Sequence, residues 1–311
     1  MSLDNSEMRV RHIVIKIILN DKIFPGAFLN DEEANVKIIR ANSDNDTLTV
    51  DAKINKISGW QQSDCTVTIS GMLIEDINAI IKVNSYQTDY WTPVSKIEVY
   101  AGYDLDQQGY PPLVYKGDIY EASPDFNAQN RSRPLTIKSI LGWEQSGMIA
   151  QSLTIKEQTS LTNMFQLLAA NFKDCSLVLT GAENKNVQSV MYEGSALQQL
   201  QQACADYGFQ FKYDDNTLLI SPIGEPMRSY VLTISPDDNL LGYPMPQTLG
   251  SAIRARFNPA IQFGQKINLV TSMEGYEGLW WINGMSHHLT NRDRDWTSTL
   301  QLNRFKFTEG A

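Results

Sequence analysis

The residues able to do chemistry are few, and their spacing is unhelpful to most chemistries. The chain has three histidines, His12, His287 and His288. The last two are adjacent in Leu279–Leu289, which reads as a strand. Successive strand residues point to opposite faces, so this pair cannot readily share one metal ion. No HExxH zinc motif accompanies them. The cysteines Cys65, Cys175 and Cys204 are odd in number and far apart, with neither a CxxC pair nor a disulfide framework. They read as small buried thiols. Adjacent carboxylates occur at Glu32-Glu33, Asp214-Asp215 and Asp237-Asp238. A glycosidase needs two carboxylates facing each other across a cleft, about 5–9.5 Å apart. All three pairs fall in turn-like sequence, where solvation is the expected role. Ser43-Asp44-Asn45-Asp46 lacks the spacing and glutamate of a calcium loop and also reads as a turn. GxGxxG, GxxxxGK[ST] and GxSxG are absent, so no nucleotide cradle or nucleophile elbow is encoded. The expected inventory is therefore no catalytic residue, no cofactor and no metal.

What remains are candidates for contact. Trp280-Trp281 lies on a strand, so one ring should face a core and the other outward. An outward Trp marks a protein interface, where aromatic residues are enriched. Arg292 and Arg294 sit in the mixed-charge tip Asn291-Arg-Asp-Arg-Asp295, which is either solvated or an interface rim.

The elements that position these residues are mostly strands. Val114, Ile119, Leu135 and Ile137 supply apolar positions in Pro112–Ile140, which reads as two antiparallel strands with Gly117 in the first. A polar loop through Arg131 and Arg133 joins them. Ser123-Pro124-Asp125 breaks the first strand, because proline cannot donate to a ladder. The same order returns at Leu279–Leu289, with Gly284 where Gly117 fell, the tip Asn291–Asp295, and Trp296–Leu302. Arg9–Leu19, Val36–Arg40, Leu48–Ile57 and Cys65–Ser70 are further strands; Pro25-Gly26 and Asn30-Asp31 punctuate the turns between. In Leu48–Ile57, Leu48, Val50, Ala52 and Ile54 alternate with polar residues. Leu73, Ile77, Ile80 and Ile81 make one helical stripe.

Between the repeats the pattern changes. Ser160 caps a helix with a Leu161, Met164, Phe165, Leu168, Phe172 stripe. Ser195-Ala-Leu-Gln198 is a capping box, and Gly208 stands where a helix would end. Phe209–Tyr213 and Leu218–Ser221 form a hairpin around Asp214-Asp215-Asn216. Val187–Tyr192 reads as a strand, and Pro222–Gly250 as a connection wandering over the surface. The expected fold is mainly β: two related β-barrel modules flanking a small α+β insert. The boundaries fall at 1–148 for the first module, 149–225 for the insert, and 226–311 for the linker and second module.

Composition agrees. At 311 residues the prior is about two domains. Hydrophobic content of 42% and charged content of 20% suit ordinary cores. No apolar run approaches the roughly 20 residues of a membrane helix. The polar, acidic N-terminus lacks an apolar leader segment, which predicts synthesis and retention in a cytoplasm unless the protein leaves within an assembly. A net charge of −9 argues against phosphate-backbone binding.

Taken in order, these segments resemble the central hub protein of contractile phage tail baseplates, the Mu-type or protein-D-like tail proteins. The resemblance is carried by Ile97-Glu-Val-Tyr-Ala-Gly-Tyr103, Val114-Tyr-Lys-Gly-Asp-Ile119 and Leu135-Thr-Ile-Lys-Ser139. Ser160-Leu161 and Gly208-Phe209-Gln-Phe211 follow. The last group is Asn258-Pro-Ala-Ile-Gln-Phe-Gly-Gln265, Ile267-Asn-Leu269, Gly284-Met-Ser-His287 and Trp296-Thr-Ser-Thr-Leu-Gln-Leu302. Gln265 departs from the acidic residue expected after that glycine. The resemblance implies a trimer with two related barrels per subunit, bridging a sixfold tail tube and a threefold central spike. It implies no catalytic residues, partners among spike, tube and baseplate proteins, and a channel that passes DNA without binding it specifically. It also implies a virion tail location after assembly in the bacterial cytoplasm. Hubs of phage-derived bacteriocins or other contractile injection devices share these features. A tail-associated cell-wall hydrolase and a carbohydrate-binding β-protein using Trp280 or Trp281 are the readings from other classes.

Overall fold

The computed structural model describes residues 10–20, 27–28, 35–44, 48–57, 62–85, 95–127, 133–142, 149–172, 175–248 and 250–304. The turn signals Pro25-Gly26 and Asn30-Asp31, the pair Glu32-Glu33, and Arg131 lie outside the described residues. The chain opens with β1 (His12–Ile18), β2 (Val36–Asn42), β3 (Thr49–Ile57) and β4 (Asp64–Ser70). Helix α1 (Ile74–Ile81) and a 3-10 turn (Lys82–Ser85) lead to β5 (Lys96–Gly102), β6 (Leu113–Pro124) and β7 (Leu135–Ile140). The central segment holds β8 (Leu153–Ile155), β9 (Thr159–Ser160), α2 (Leu161–Ala169), β10 (Ser176–Leu179), β11 (Asn186–Val187) and β12 (Val190–Tyr192). It closes with α3 (Ala196–Tyr207), β13 (Phe209–Asp214) and β14 (Thr217–Pro222). The last strands are β15 (Val231–Ile234), β16 (Leu240–Gln247), β17 (Gly250–Arg256), β18 (Lys266–Leu269), β19 (Gly278–Thr290) and β20 (Trp296–Asn303).

Alternation of apolar and polar residues fixes which face each strand buries. Ile13, Ile15 and Ile17 of β1, Val50, Ala52 and Ile54 of β3, and Cys65, Val67 and Ile69 of β4 converge in one core. Phe257, Leu289 and Trp296 reach into this core from the C-terminal strands. Tyr103 meets Trp296 edge-on, and Arg11 lies over the same indole. A second core fills the central segment around Phe165, Leu200 and Phe209. A third lies among Ile253, Phe263, Ile267, Trp280, Ile282 and Leu300.

Strands β3 to β7 stand side by side in the order β5-β6-β7-β4-β3. Strands β16 to β20 repeat it as β18-β19-β20-β17-β16. The registers agree as well. Lys96 faces Asp118 and Ile97 faces Gly117; Lys266 faces Trp281 and Ile267 faces Trp280. Each long middle strand bulges by one residue against its neighbour, at Tyr120 in β6 and at Asn283 in β19. On this register Gly117 corresponds to Trp280. Gly284 thus shares the equivalent strand but not the equivalent position. Each glycine answers a local need. A Cβ on Gly117 would collide with the Tyr115 hydroxyl, and one on Gly284 would come within 2.7 Å of Gln301 Oε1. The two strand sets are joined edge to edge. β3 pairs with β19 antiparallel, from Asp51 opposite Thr290 to Ile57 opposite Gly284.

The central segment follows its local signals. Ser160 Oγ accepts a bond from Asn163 N at 3.1 Å, Ser195 and Gln198 form the capping box, and Gly208 ends α3 at φ 71°. Val187–Tyr192 is not one strand. Ser189 has φ 56°, and the chain splits there into β11, which pairs with β9, and β12, which pairs with β8. Pro222–Gly250 is also more ordered than its proline content suggests, since it contains β15 and β16. Pro244 and Pro246 are tolerated because β16 is the outermost strand of its sheet, where a missing N–H breaks no second ladder. Cys65 and Cys204 are buried, while Cys175 is only half-buried.

Leu200 is fully buried on α3 between the helix and the central sheet. Leu200→Ala should destabilise the protein by about 2–5 kcal/mol in urea unfolding, the usual cost of truncating a core leucine. A loss below about 1 kcal/mol would mean the site collapses around the missing atoms.

Candidate functional site

The alternation of β3 carries one step past Ile54 and puts Lys56 on the buried face. An ammonium at a core position needs a counter-charge. The hairpin between β13 and β14 supplies two. Lys56 Nζ lies 2.6 Å from Asp214 Oδ1 and 2.9 Å from Asp215 Oδ2. Asp215 takes the left-handed conformation, φ 53°, at the hairpin tip. Its other carboxylate oxygen accepts from the backbone N–H of Lys116 on β6 at 3.1 Å. Arg228, in the connection after β14, approaches Asp214 at 3.6 Å and donates to the Phe263 carbonyl at 3.2 Å. Lys212 of β13 donates to the Ile57 carbonyl at 2.6 Å. The hairpin tip is therefore fastened to both strand sets. Beside it lies a cavity of about 180 Å³ lined by Lys56, Asp214, Asp215, Arg228, Phe257 and His287, among others.

Burial and charge act against each other here. Burial pushes the Lys56 ammonium down, but the two aspartates outweigh it and hold it above its ordinary range. Burial pushes Asp214 up, yet Lys56 and then Arg228 bring it below the usual carboxylate range. Asp215 goes the other way: burial, with Asp214 beside it, raises it to about 6 despite Lys56. Lys212 falls to about 8, chiefly by burial. His287 falls to about 3, by burial and then by the nearby Lys56. Its Nδ1 is 2.8 Å from Ser298 Oγ. A lysine held firmly protonated is no nucleophile, and two carboxylates committed to it do not flank an open cleft. The arrangement is suited to fastening elements together.

The cysteines are equally inert: burial raises the Cys65 and Cys204 thiols, and Cys175 rises to about 11. Among the described residues no group of three His, Cys, Asp or Glu could hold a metal ion.

The contact candidates fall out differently from the alternation argument. Trp280 and Trp281 are 3% and 2% exposed, so neither ring faces outward. Tyr276 stacks on Trp280 with its carbonyl accepting from the indole N–H at 2.9 Å, and Arg304 covers the same ring. The strand is covered on both faces at this point, and the exposed apolar residue is the preceding Leu279. His287 and His288 do point to opposite faces, His288 toward Asp51 and Asp295. Arg292 and Arg294 are exposed at their tip. The tip itself is held by Asn291, which donates to the Asn42 and Leu48 carbonyls and accepts from Val50 N. Sequence reasoning passed over Lys56 and set Asp214-Asp215 aside as solvated. The parity of β3, with lysine where an apolar residue is due, was the available signal.

The family described as Baseplate hub gp41 matches residues 34–302. Among solved structures, the 43 kDa tail protein of prophage MuSo2 from Shewanella oneidensis is similar over 94% of this chain and 97% of its own, with a TM-score of 0.59 and 9% identity. The tail protein from Neisseria meningitidis MC58 is similar over 94% and 96%, with a TM-score of 0.55 and 14% identity. The E. coli c3393 protein is described as a component of the type VI secretion system with structural similarity to T4 tail proteins gp27 and gp5. It covers 85% of this chain and 75% of its own, with a TM-score of 0.52 and 10% identity. At these identities the likeness is one of fold. No curated protein matches the sequence.

Two outcomes follow from the ion cluster. Lys56→Met removes the close counter-charge of buried Asp214, leaving it only Arg228 at 3.6 Å, and that of the partly exposed Asp215, and should cost about 3–5 kcal/mol in chemical denaturation; a near-neutral result would show that the carboxylates are hydrated. His287 is held neutral in the fold, down at about 3 against an ordinary 6.5, so the unfolded chain binds a proton that the fold refuses. Stability is fully present above pH 6.5 and falls as the pH drops toward 3, by up to about 1.4 kcal/mol per unit from this group. Asp215, raised to about 6, works in the opposite sense below that pH. Comparing His287→Gln with the parent isolates the histidine. The variant should gain on the parent as the pH falls, and parallel profiles would show that His287 titrates freely.

Proposed function

The chain belongs to the baseplate hub gp41 family, and we propose that it acts as a trimeric adaptor between a sixfold tail tube and a threefold central spike. A baseplate role in a phage-type tail follows from the family itself. The trimer, the spike contact and the DNA channel are this reading's own additions. The observation that supports them is the register-level repeat of five strands in one chain. A protein joining a sixfold to a threefold structure must present six similar surfaces on one side and three on the other. Three copies of a chain with two equivalent strand sets meet that requirement. Closed cyclic symmetry with heterologous contacts is the ordinary way to make such a ring.

On this reading the chain divides at 1–148, 149–225 and 226–311, with the central segment fastened by the Lys56 cluster. The protein works by assembly and not by catalysis. Its net charge of −9 keeps phosphate contacts weak, which suits a channel that DNA must pass without sticking. The assembled protein would reside in the virion tail after assembly in the host cytoplasm. The deciding experiment is the mass of a reconstituted complex with the candidate spike protein, by native mass spectrometry. Three hub chains to three spike chains is the expected composition. Any other ratio sinks the adaptor reading, whereas a monomer in isolation does not, since tube or spike can be needed to hold the ring.

A further inference from the structure

We propose that the cavity beside the Lys56 cluster is a binding site for a small oxyanion of the phosphate or sulfate type, held by Lys56, Arg228 and His287. The site lies at the joint between the central segment and both strand sets, and its occupancy is independent of the hub role.

Donors outnumber acceptors there. An ammonium carries three N–H groups, and Lys56 gives two of them, to Asp214 and Asp215. The third has no partner among the described residues. Arg228 uses its Nε–H on the Phe263 carbonyl at 3.2 Å, and its Nη2 stops 3.6 Å short of Asp214 Oδ2. The remaining guanidinium N–H groups make no hydrogen bond among the described residues. His287 bonds Ser298 Oγ through Nδ1 at 2.8 Å, and its Nε2 has no partner although the residue is only 4% exposed. All three side chains line one cavity of about 180 Å³, far above the roughly 10–15 Å³ that admits a single water. The acceptors on the same wall are committed. Asp215 takes Lys56 on one oxygen and the Lys116 N–H on the other, and Asp214 Oδ1 takes Lys56. Only Asp214 Oδ2 is left, and Arg228 turns toward it.

Charge decides what kind of acceptor fits. Lys56, Arg228 and Lys212 bring three cations to this joint, and Asp214 and Asp215 bring two carboxylates. Asp64, a further acid acting on Lys212, does not line the cavity. His287 is held neutral by burial and then by Lys56, so it adds no like charge and offers a ring nitrogen. Ser298 Oγ has no other partner, so its hydroxyl is free to donate to Nδ1 and leave the ring proton on Nε2. A neutral acceptor would leave the positive excess standing in a dry site. A small oxyanion offsets it and accepts from ammonium, guanidinium and imidazole together. The planar guanidinium matches two oxygens of such an ion. Phe257, Phe263 and Met285 complete the wall and keep the space compact. The bound ion would tie β3, the connection after β14, and β19 to one another.

The probe is inorganic phosphate, titrated calorimetrically into the full chain at neutral pH, with chloride keeping the ionic strength constant. One saturable site is expected, and sulfate should compete for it. Arg228→Met and His287→Phe, each checked for folding by near-UV circular dichroism, should each weaken binding at least about tenfold, the loss of one hydrogen bond to a charged group. Arg254→Gln, which removes an arginine paired with Asp295 outside the cavity, should bind like the parent. Absence of any saturable site tighter than about 10 mM would overturn the proposal and leave the cavity to water. Equal binding by the parent and both cavity variants would place the ion elsewhere on the surface and overturn it too. Thermal stabilisation by phosphate that persists undiminished in Arg228→Met would be salt exclusion from the surface and counts against the site. The parent chain supplies a readout that does not depend on any variant folding. Phosphate should shift the nitrogen resonance of His287 Nε2, and saturable binding that leaves this resonance unmoved would overturn the proposal.

Discussion

A lysine ammonium on the buried face of β3 constrains everything around it. Such a group cannot remain in a core without its charge being met, and Lys56 meets it with two aspartates from a hairpin 158 and 159 residues further along the chain. Replacing such a cluster with well-packed apolar residues is often neutral or stabilising, so its presence is weak evidence for net stability. Its geometric demand is strong. The hairpin tip must arrive at one orientation, with Asp215 in a left-handed conformation and its second oxygen on the Lys116 N–H. An apolar patch would tolerate sliding. The ion cluster does not, and it holds the central α+β segment at one angle to both strand sets.

The second constraint is continuity of the sheet. Because β3 and β19 share a ladder, the two strand sets cannot rotate against one another without breaking backbone bonds. Asn291 reinforces this by bonding across the junction to three backbone groups, at Asn42, Leu48 and Val50. Phe257, Leu289 and Trp296 then carry C-terminal residues into the N-terminal core. The boundary between the sets is one of sequence pattern, while the packing runs across it.

Much of this was legible in the sequence, for local reasons. Period-two alternation announced β3 and β4, the capping box announced α3, and the strand, glycine, loop and strand order announced the repeat. Failures came where a residue's role depends on distant chain. Lys56 broke the parity of β3, but its partners lie in another segment, so Asp214-Asp215 read as an ordinary turn. Trp280 and Trp281 obey alternation and are still both buried, because covering groups such as Tyr276 and Arg304 come from outside the strand. The prolines of β16 hid a strand because proline propensity cannot distinguish an edge from a loop. The glycines pointed to the right strands at the wrong register, because each is fixed by its own neighbour, Tyr115 or Gln301.

The repeat is not perfect, and its imperfections have a physical logic. A junction inside one chain forms at the high effective concentration set by a covalent linker. It can rely on backbone hydrogen bonds and a few polar staples, each contributing modestly once exchange with water is counted. A junction between molecules must also overcome the loss of translational and rotational freedom. Apolar side chains suit that task better than a ladder does. An open ladder edge would moreover pair with any strand, including the wrong ones. Prolines at 124, 244 and 246 and the Asn84 amide at Ala122 close that route, while Tyr243, Met245 and Phe126 stay available. The same five-strand plan thus carries one edge that is paired within the chain, where β3 meets β19, and one at β16 that is left unpaired among the described residues with its apolar side chains exposed.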